Sequence, residues 1–387
     1  MEHFTNSVLC LFAGVARAFR GKRPTVDQPE LHLGNSFGFG RFVKLIDLHP
    51  RHGFLGRRAH GILKTWRNAA PQPNILGPTR NRPFRIFSVI HFLLDYARAV
   101  AYNQYINRLN LDERAQILAA LVEGNSVRSV CRMLGREKRT VTRLLVDVGT
   151  ACYHYQDRVL RNLKCRRLEC DEIWSFIGCK QKNVTQKMAE ERIVGDAWVW
   201  VAIDADTKLV PCWLVGTRDA GCATEFIAGL ERRLANRVQL TTEGHKVYLN
   251  AVIDAFADEV DYAQLVKYFG NSPESQKRYS PAVCAGAEKI IRLGDPDPRH
   301  ISTSYVERQN LTMRMSMRRF TRLTNGFSKK VQNHEAAVAL HYMHYNFVRI
   351  HQTLRITPAM AAGISNHVWS FQEVAALADA TLATQAA

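Results

Sequence analysis

The sequence predicts an α/β protein in which a mixed sheet with flanking helices follows a small all-α domain and an irregular N-terminal extension. Three observations support this prediction: helical periodicity over 111–148, strand alternation from residue 168 onward, and no sustained period before residue 84. A length of 387 residues suffices for two or three domains. We expect an extension at 1–100, a helical domain at 101–163, an α/β domain at 164–363, and a C-terminal helix and tail at 364–387.

The expected extension is strongly basic. Residues 1–100 hold 15 Lys and Arg against 5 Asp and Glu, in a chain with 53 and 35 of these residues and a net charge of +18. Glycine and proline interrupt its apolar runs before they reach helix length, although a helical pattern appears over 84–108. The segment is therefore either a basic extension or not native coding sequence. The excess of positive charge favours a polyanionic partner.

Cysteine usage and hydropathy argue against a disulfide-stabilised protein and against a membrane-spanning one. The nine cysteines include no C-x-x-C pair, which predicts free thiols in a reducing compartment. A zinc site at Cys165, Cys170 and Cys179 is disfavoured because their spacings of five and nine do not match a zinc knuckle. No apolar run approaches the roughly 18 residues of a spanning helix. We expect a soluble, cytoplasmic protein with no membrane partner.

Three short helices are predicted between Asn110, a candidate N-cap, and Val148. The second runs over 126–134, Gly135 closes it, and the third runs over 139–148. This pattern is typical of a helix-turn-helix, whose third helix presents its outward N-terminal positions to the DNA major groove. The candidate DNA-binding residues there are Arg139, Thr140, Thr142 and Arg143. A small helical bundle with a solvated basic face is the alternative, and the basic third helix favours DNA binding.

After a linking helix at about 151–163, the period changes to that of strands. Alternation predicts antiparallel strands at 168–177, 197–204 and 209–215, then a helix at 223–235 and a strand at 238–242. A loop is expected over 271–304, followed by helices at 305–317 and 335–350, and a modest amphipathic helix after 365. Three antiparallel strands, a helix and a further strand follow the order of an RNase H-like domain.

Three acids occupy positions suited to phosphoryl transfer. Asp171 lies within an apolar strand, where a charge is costly unless a partner compensates it. The order of elements adds Glu243 at the end of the fourth strand and Glu307 on the helix after the long loop. Three carboxylates that converge at a sheet edge are what a two-Mg²⁺ site needs. Arg314, two helical turns after Glu307, is placed to hold a substrate phosphate.

These residues lie in segments that resemble bacterial insertion-sequence transposases of the DDE superfamily, and the resemblance covers about 103–363. The matching segments are 170–176, 304–314, 319–325 and 344–349. The resemblance implies that Asp171 is the first catalytic acid, Glu307 the third, and Arg314 the basic residue that follows. It also implies a DNA transposase that binds terminal repeats, cleaves DNA and transfers strands. Such an enzyme uses two Mg²⁺ ions, which Mn²⁺ can replace, and acts at the nucleoid as a homo-oligomer on element ends and target DNA.

This chain departs from the family at the second acid. Relatives have Thr-Asp-Gly where it has Thr242, Glu243 and Gly244. Glutamate is one methylene longer than aspartate, and Mg²⁺ tolerates geometric error poorly. Either the site adjusts or this copy is impaired, with Asp204 and Asp254 as alternative ligands. The alternative function is therefore a transposase relic that only binds DNA.

A histidine stripe offers a competing signal. Its members, at helical spacings of seven, three and seven, are His334, His341, His344 and His351. Apolar neighbours make a packed helix a better interpretation than zinc. We expect these histidines and Arg349 to contact phosphates.

Overall fold

Three α-helices open the part of the chain that the structure describes. The computed structural model describes residues 109–191, 193–270, 284–321 and 324–386, all within one compact unit, Val100–Ala387. The predictions for 1–100 and for the helix at 84–108 lie outside the described residues.

The first helices have the predicted start and stop signals. They are α1 (Leu111–Val122), α2 (Val127–Leu134) and α3 (Lys138–Val159). Asn110 and Glu113 form a reciprocal capping box at the start of α1, and Gly135 ends α2 in the left-handed conformation with φ 61°. The third and linking helices predicted separately are one continuous helix of 22 residues.

A six-stranded mixed sheet forms the centre of the molecule, in the order β3-β2-β1-β4-β5-β6. The strands are β1 (Arg167–Ile177), β2 (Gly195–Asp204), β3 (Cys212–Gly216), β4 (Val238–Glu243), β5 (Val260–Phe269) and β6 (Cys284–Leu293). The first three pair antiparallel, β4 is parallel to both β1 and β5, and β6 is antiparallel to β5. This order confirms the predicted α/β class with an RNase H-like sheet.

Strand β6 contradicts the loop expected over 271–304. Its residues are half-buried or exposed along its whole length. Because neither face of β6 is buried, its sequence needs no alternation of apolar and polar residues, which is the pattern that predicts a strand. It forms through backbone pairing to β5 instead, from Tyr262↔Leu293 to Phe269↔Cys284.

Helices cover both faces of the sheet. They are α4 (Gln186–Glu191), α5 (Ala220–Glu231), α6 (Val247–Phe256), α7 (Ser304–Ser316), α8 (Val331–Met343), α9 (Pro358–Ala361) and α10 (Phe371–Ala386), with one π-helical turn at His344–Val348. On one face, Trp200 of β2 packs against Phe226 of α5 and Tyr248 of α6, with ring centroids 6.0 and 5.4 Å apart. Helices α7 and α8 contact the opposite face through Asn310 and His334. In the described ranges, no helix is both long and apolar enough to cross a membrane.

The long helix α3 packs directly on α8. A Cβ at Gly149 would lie 2.3 Å from the backbone oxygen of Ala336, so only glycine permits this approach. Seven residues further on, the buried Gln156 Nε2 donates to the carbonyl of Ala339 at 3.1 Å. Buried side chains form one continuous hydrophobic core from α1 to the sheet. The helical and α/β segments that we expected as separate domains therefore share a core.

Candidate active site

Asp171 is buried on β1 and faces α7. Its carboxylate accepts a hydrogen bond from Asn310 Nδ2 at 2.7 Å, and the residue is only 8% exposed. Burial, followed by the negative charges of Glu243 and Glu172, raises the pKa of Asp171 to about 8. Burial and two neighbouring carboxylates therefore both disfavour the charged form of Asp171.

Glu243 lies beside Asp171 because β1 and β4 run parallel. Cys170 pairs with Thr242, so the next residue of each strand, Asp171 and Glu243, lies on the same face of the sheet. Glu243 is the last residue of β4. The strand order thus brings the predicted first and second acids together.

Glu307 lies in the first turn of α7, and a residue that the sequence analysis missed fixes that turn to β1. The buried Glu169 accepts hydrogen bonds from the backbone N–H groups of Tyr305 and Val306 at 2.7 and 3.1 Å. Its carboxylate caps the helix N-terminus, where negative charge is favourable. Glu169 lies two residues before Asp171, so the same strand face holds Asp171 and positions Glu307. The alternation with Asp171 was the signal that could have identified it.

A second unpredicted residue, Lys267 of β5, joins two of the acids. Its Nζ donates to Glu243 Oε1 at 3.1 Å and also to Glu307. Burial opposes its charge, yet the hydrogen bonds to Glu307 and Glu243 raise the pKa of Lys267 above its ordinary value. Leu265 pairs with Glu243, and Lys267 lies two residues further along β5 on the same face. The ammonium thus lies between the predicted second and third acids.

The acids fit a divalent cation by donor type and by charge. Mg²⁺ prefers carboxylate oxygens, and Glu243 and Glu172 add negative charge near Asp171. Within the described residues, however, no three His, Cys, Asp or Glu side chains are gathered into a set that could hold a metal ion. The position between Glu243 and Glu307 belongs to the Lys267 ammonium. A metal site therefore requires Lys267 to move.

The alternative ligands occupy other surroundings. Asp204 accepts hydrogen bonds from the Asp206 N–H at 3.0 Å and the Thr207 hydroxyl at 2.6 Å, which hold the turn after β2. Asp254 is exposed on α6, the helix whose Tyr248 packs on the face of the sheet opposite Asp171. Neither competes with Glu243 for a position beside Asp171.

The predicted DNA-contacting residues line the start of α3. Arg139 and Arg143 are exposed, whereas Thr140 and Thr142 are half-buried. Arg143 forms an exposed ion pair with Asp147 at 3.6 Å. The last predicted site residue, Arg314, lies seven residues after Glu307 on α7, about 10 Å along the helix axis.

Three histidines of the stripe are buried, so the prediction that they contact phosphates is wrong. His334 is bonded to the hydroxyls of Ser175 and Ser328 at 3.1 and 3.0 Å, and the ring of His344 stacks on Phe371. Burial lowers the pKa to about 3 for His334 and His341 and to about 4 for His344. They are neutral core residues, as the packed-helix alternative predicted.

Comparisons with known proteins give only distant structural similarity. No protein-family profile and no curated protein matches the chain. The chain is similar to a piggyBac transposase in a synaptic complex with hairpin DNA, at a TM-score of 0.31 and 11% identity over 72% of this chain and 73% of that one. It is also similar to the Mos1 transposase strand transfer complex, at a TM-score of 0.19 and 12% identity over 79% and 90%. Similarity at these values does not establish a family or a function. The fold class follows from the order and direction of the strands.

Proposed function

We propose that the chain is a DDE-type DNA transposase, which binds the terminal repeats of an insertion element and catalyses metal-dependent strand cleavage and strand transfer. One observation carries the proposal: β1, β4 and α7 bring Asp171, Glu243 and Glu307 to one end of an RNase H-like sheet. The resemblance of the surrounding segments to insertion-sequence transposases supports the same reaction.

The proposed chemistry is two successive in-line displacements at phosphorus. In the first, a water oxygen bonds to the phosphorus at the element end, the bond from phosphorus to the 3′ oxygen breaks, and that oxygen leaves as a 3′-hydroxyl. In the second, the oxygen of this hydroxyl bonds to a phosphorus of target DNA, the bond from that phosphorus to the target's 3′ oxygen breaks, and that oxygen leaves as a 3′-hydroxyl that carries the displaced proton. Neither step needs a covalent enzyme intermediate.

Asp171, Glu243 and Glu307 would hold two Mg²⁺ ions once Lys267 is displaced. Bound there, the ions would stabilise charge on the attacking and leaving oxygens. Asn310 orients the Asp171 carboxylate, and Glu169 holds the first turn of α7 so that Glu307 faces the sheet. Arg314 is proposed to contact a phosphate of the bound DNA.

DNA recognition is assigned to the first three helices. Arg139 and Arg143 are exposed at the N-terminal end of α3, where a recognition helix contacts base edges. The net charge of +18 favours the phosphate backbone. We propose that copies of the chain assemble on paired element ends at the nucleoid and capture target DNA.

A Mg²⁺-dependent cleavage assay on DNA that carries the flanking element ends tests the proposal. Asp171→Asn and Glu307→Gln should abolish cleavage and leave DNA binding within about twofold of the parent, since binding rests on other surfaces. Glu243→Asp should raise the cleavage rate because it restores the shorter acid. Efficient cleavage by Asp171→Asn would refute the assignment.

The ion pair between Glu243 and Lys267 favours a second candidate, a catalytically impaired relic that only binds DNA. If the longer glutamate keeps Lys267 in place, the parent should bind terminal repeats without cutting them in Mg²⁺ or Mn²⁺. Recovery of cleavage in Glu243→Asp would then locate the defect at this position.

A further inference from the structure

The β1–β2 hairpin projects beyond the strand that ends at Glu243. Strand β4 stops level with Asp171, whereas β1 continues to Ile177, paired with β2 as far as Gly195. On its other edge, the backbone of this extension pairs in the described part of the chain through the bridge between Ile177 and Ser328. The extension is therefore a two-stranded ribbon beside the proposed catalytic acids.

One face of this ribbon carries aromatic rings. Trp174 lies directly across from Trp198, and its ring is 5.8 Å from that of Phe176, which in turn lies 4.9 Å from Phe327. These rings are half-buried, in contrast to Trp200 two residues further along β2, which is fully covered. Large aromatic surface is thus left partly open at the end of the sheet.

Two basic side chains lie over the two tryptophans. The Arg218 guanidinium is 4.7 Å from the centre of the Trp198 ring, and the Lys180 ammonium is 5.7 Å from the centre of the Trp174 ring. Glu172 holds Arg218 through Nε at 3.1 Å and Nη2 at 3.0 Å, while Lys180 is exposed. Aromatic rings interleaved with cations are the combination with which proteins bind single-stranded nucleic acid, by stacking on bases and by attraction of phosphates.

We propose that Trp174 and Trp198 form a stacking platform for unpaired bases of the DNA substrate. The proposal rests on the proposed function, since it identifies a part of the same substrate. Bases within a duplex hide their faces, so flat rings on a sheet select frayed or single-stranded nucleotides. Trp174 lies three residues from Asp171, about 10 Å along β1. Trp174 and Asp171 lie on opposite faces of the sheet. A DNA strand at the acids would therefore pass around the end of β4 to reach the rings.

The test is fluorescence anisotropy with the full chain in EDTA, which prevents cleavage. Three fluorescein-labelled probes are compared: a 30-nucleotide single strand, its blunt duplex, and the same duplex with five unpaired nucleotides at one end. The parent should prefer the tailed duplex to the blunt one. Trp174→Leu and Trp198→Leu should each weaken binding to the tailed duplex by at least about fivefold and leave blunt-duplex binding within twofold.

Matched controls separate stacking from a general loss of charge or fold. Trp213→Leu removes a half-buried tryptophan that packs on Tyr342, outside the platform, and should not change the preference for the tail. Lys180→Ala should weaken tailed-duplex binding more than Lys187→Ala, a matched loss of charge at an exposed lysine that pairs with Glu191. Because Lys180 is exposed, this pair of variants keeps the test valid if the tryptophan variants fold poorly.

Three outcomes overturn the proposal. Equal binding of tailed and blunt duplexes by the parent refutes the platform and leaves the proposed function intact. An absence of binding to any DNA refutes both. If Trp174→Leu changes the oligomeric state by sedimentation and not the preference for unpaired DNA, the ribbon is a protein interface instead.

Discussion

Replacement of Lys267 by methionine should strengthen the binding of divalent cations. The ammonium lies between Glu243 and Glu307, where it supplies the positive charge that the acids need. Methionine keeps most of the length of the side chain and removes the charge, so the two glutamates lose their shared partner. A divalent cation then no longer has to displace an ion-paired lysine.

The size of the effect follows from the exposure of the three side chains. Lys267 is 17% exposed, but Glu243 is 32% and Glu307 45% exposed, so solvent screens both ion pairs. Each ion pair of this kind has an interaction free energy of about 0.2–1 kcal/mol. Their joint loss corresponds to a dissociation constant for Mn²⁺ that is about 2- to 30-fold lower in Lys267→Met than in the parent.

Titration calorimetry of Mn²⁺ into DNA-free protein measures this change. Lys267→Arg keeps the charge and should bind as weakly as the parent. Lys289→Met is the matched control, because Lys289 lies on the adjacent strand β6 and donates to the carbonyl of Pro298 rather than to an acid. Equal or weaker Mn²⁺ binding by Lys267→Met would show that the lysine does not compete with metal.

Three further predictions concern recognition, packing and pH. Arg143→Ala should weaken binding to the element ends by about 1–3 kcal/mol if Arg143 contacts a base edge, as measured at matched salt; unchanged affinity would exclude this role. Gly149→Ala should lower the free energy of unfolding by about 1–3 kcal/mol or more in urea titrations, because its Cβ would overlap the backbone of Ala336; an unchanged midpoint would contradict the close packing. Burial lowers the pKa of His344 to about 4 in the folded state, below its value in the unfolded chain. The unfolded state therefore binds more protons, and the free energy of unfolding falls as the pH drops below about 6.5. Between pH 6.5 and 5, the free energy of unfolding should therefore fall by about 1.6 kcal/mol less in His344→Phe than in the parent, measured by urea unfolding. Equal losses would place His344 in solvent.

The sequence predicted the features that depend on local patterns. The capping box at Asn110, the glycine that ends α2 and the alternation of β1 and β2 each involve residues a few positions apart. Asp171 was recognisable because an acid within an apolar strand is unusual. These signals sufficed for the fold class and for the burial of Asp171 within β1.

Features that depend on distant pairs were missed. Lys267 is 24 residues from Glu243 and 40 from Glu307, and no local pattern marks it as their partner. Glu169 acts through backbone groups 136 and 137 residues away. Strand β5 was itself missed, although its aromatic and β-branched residues were a usable signal. The prediction of two helices over 139–163 was wrong, because Gly149 lies inside α3 and packs against Ala336.

The unbroken helix α3 fixes the distance between its two ends. Its 22 residues span about 33 Å without a hinge, and its second half is clamped against α8 by Gly149 and Gln156. Under the proposed function, DNA bound at Arg139 would therefore lie at a set distance and angle from Asp171. If the proposed function is right, the length of this helix sets the offset between the recognised sequence and the scissile bond, and the elements that the protein cuts should share that offset whatever sequence lies between the two points.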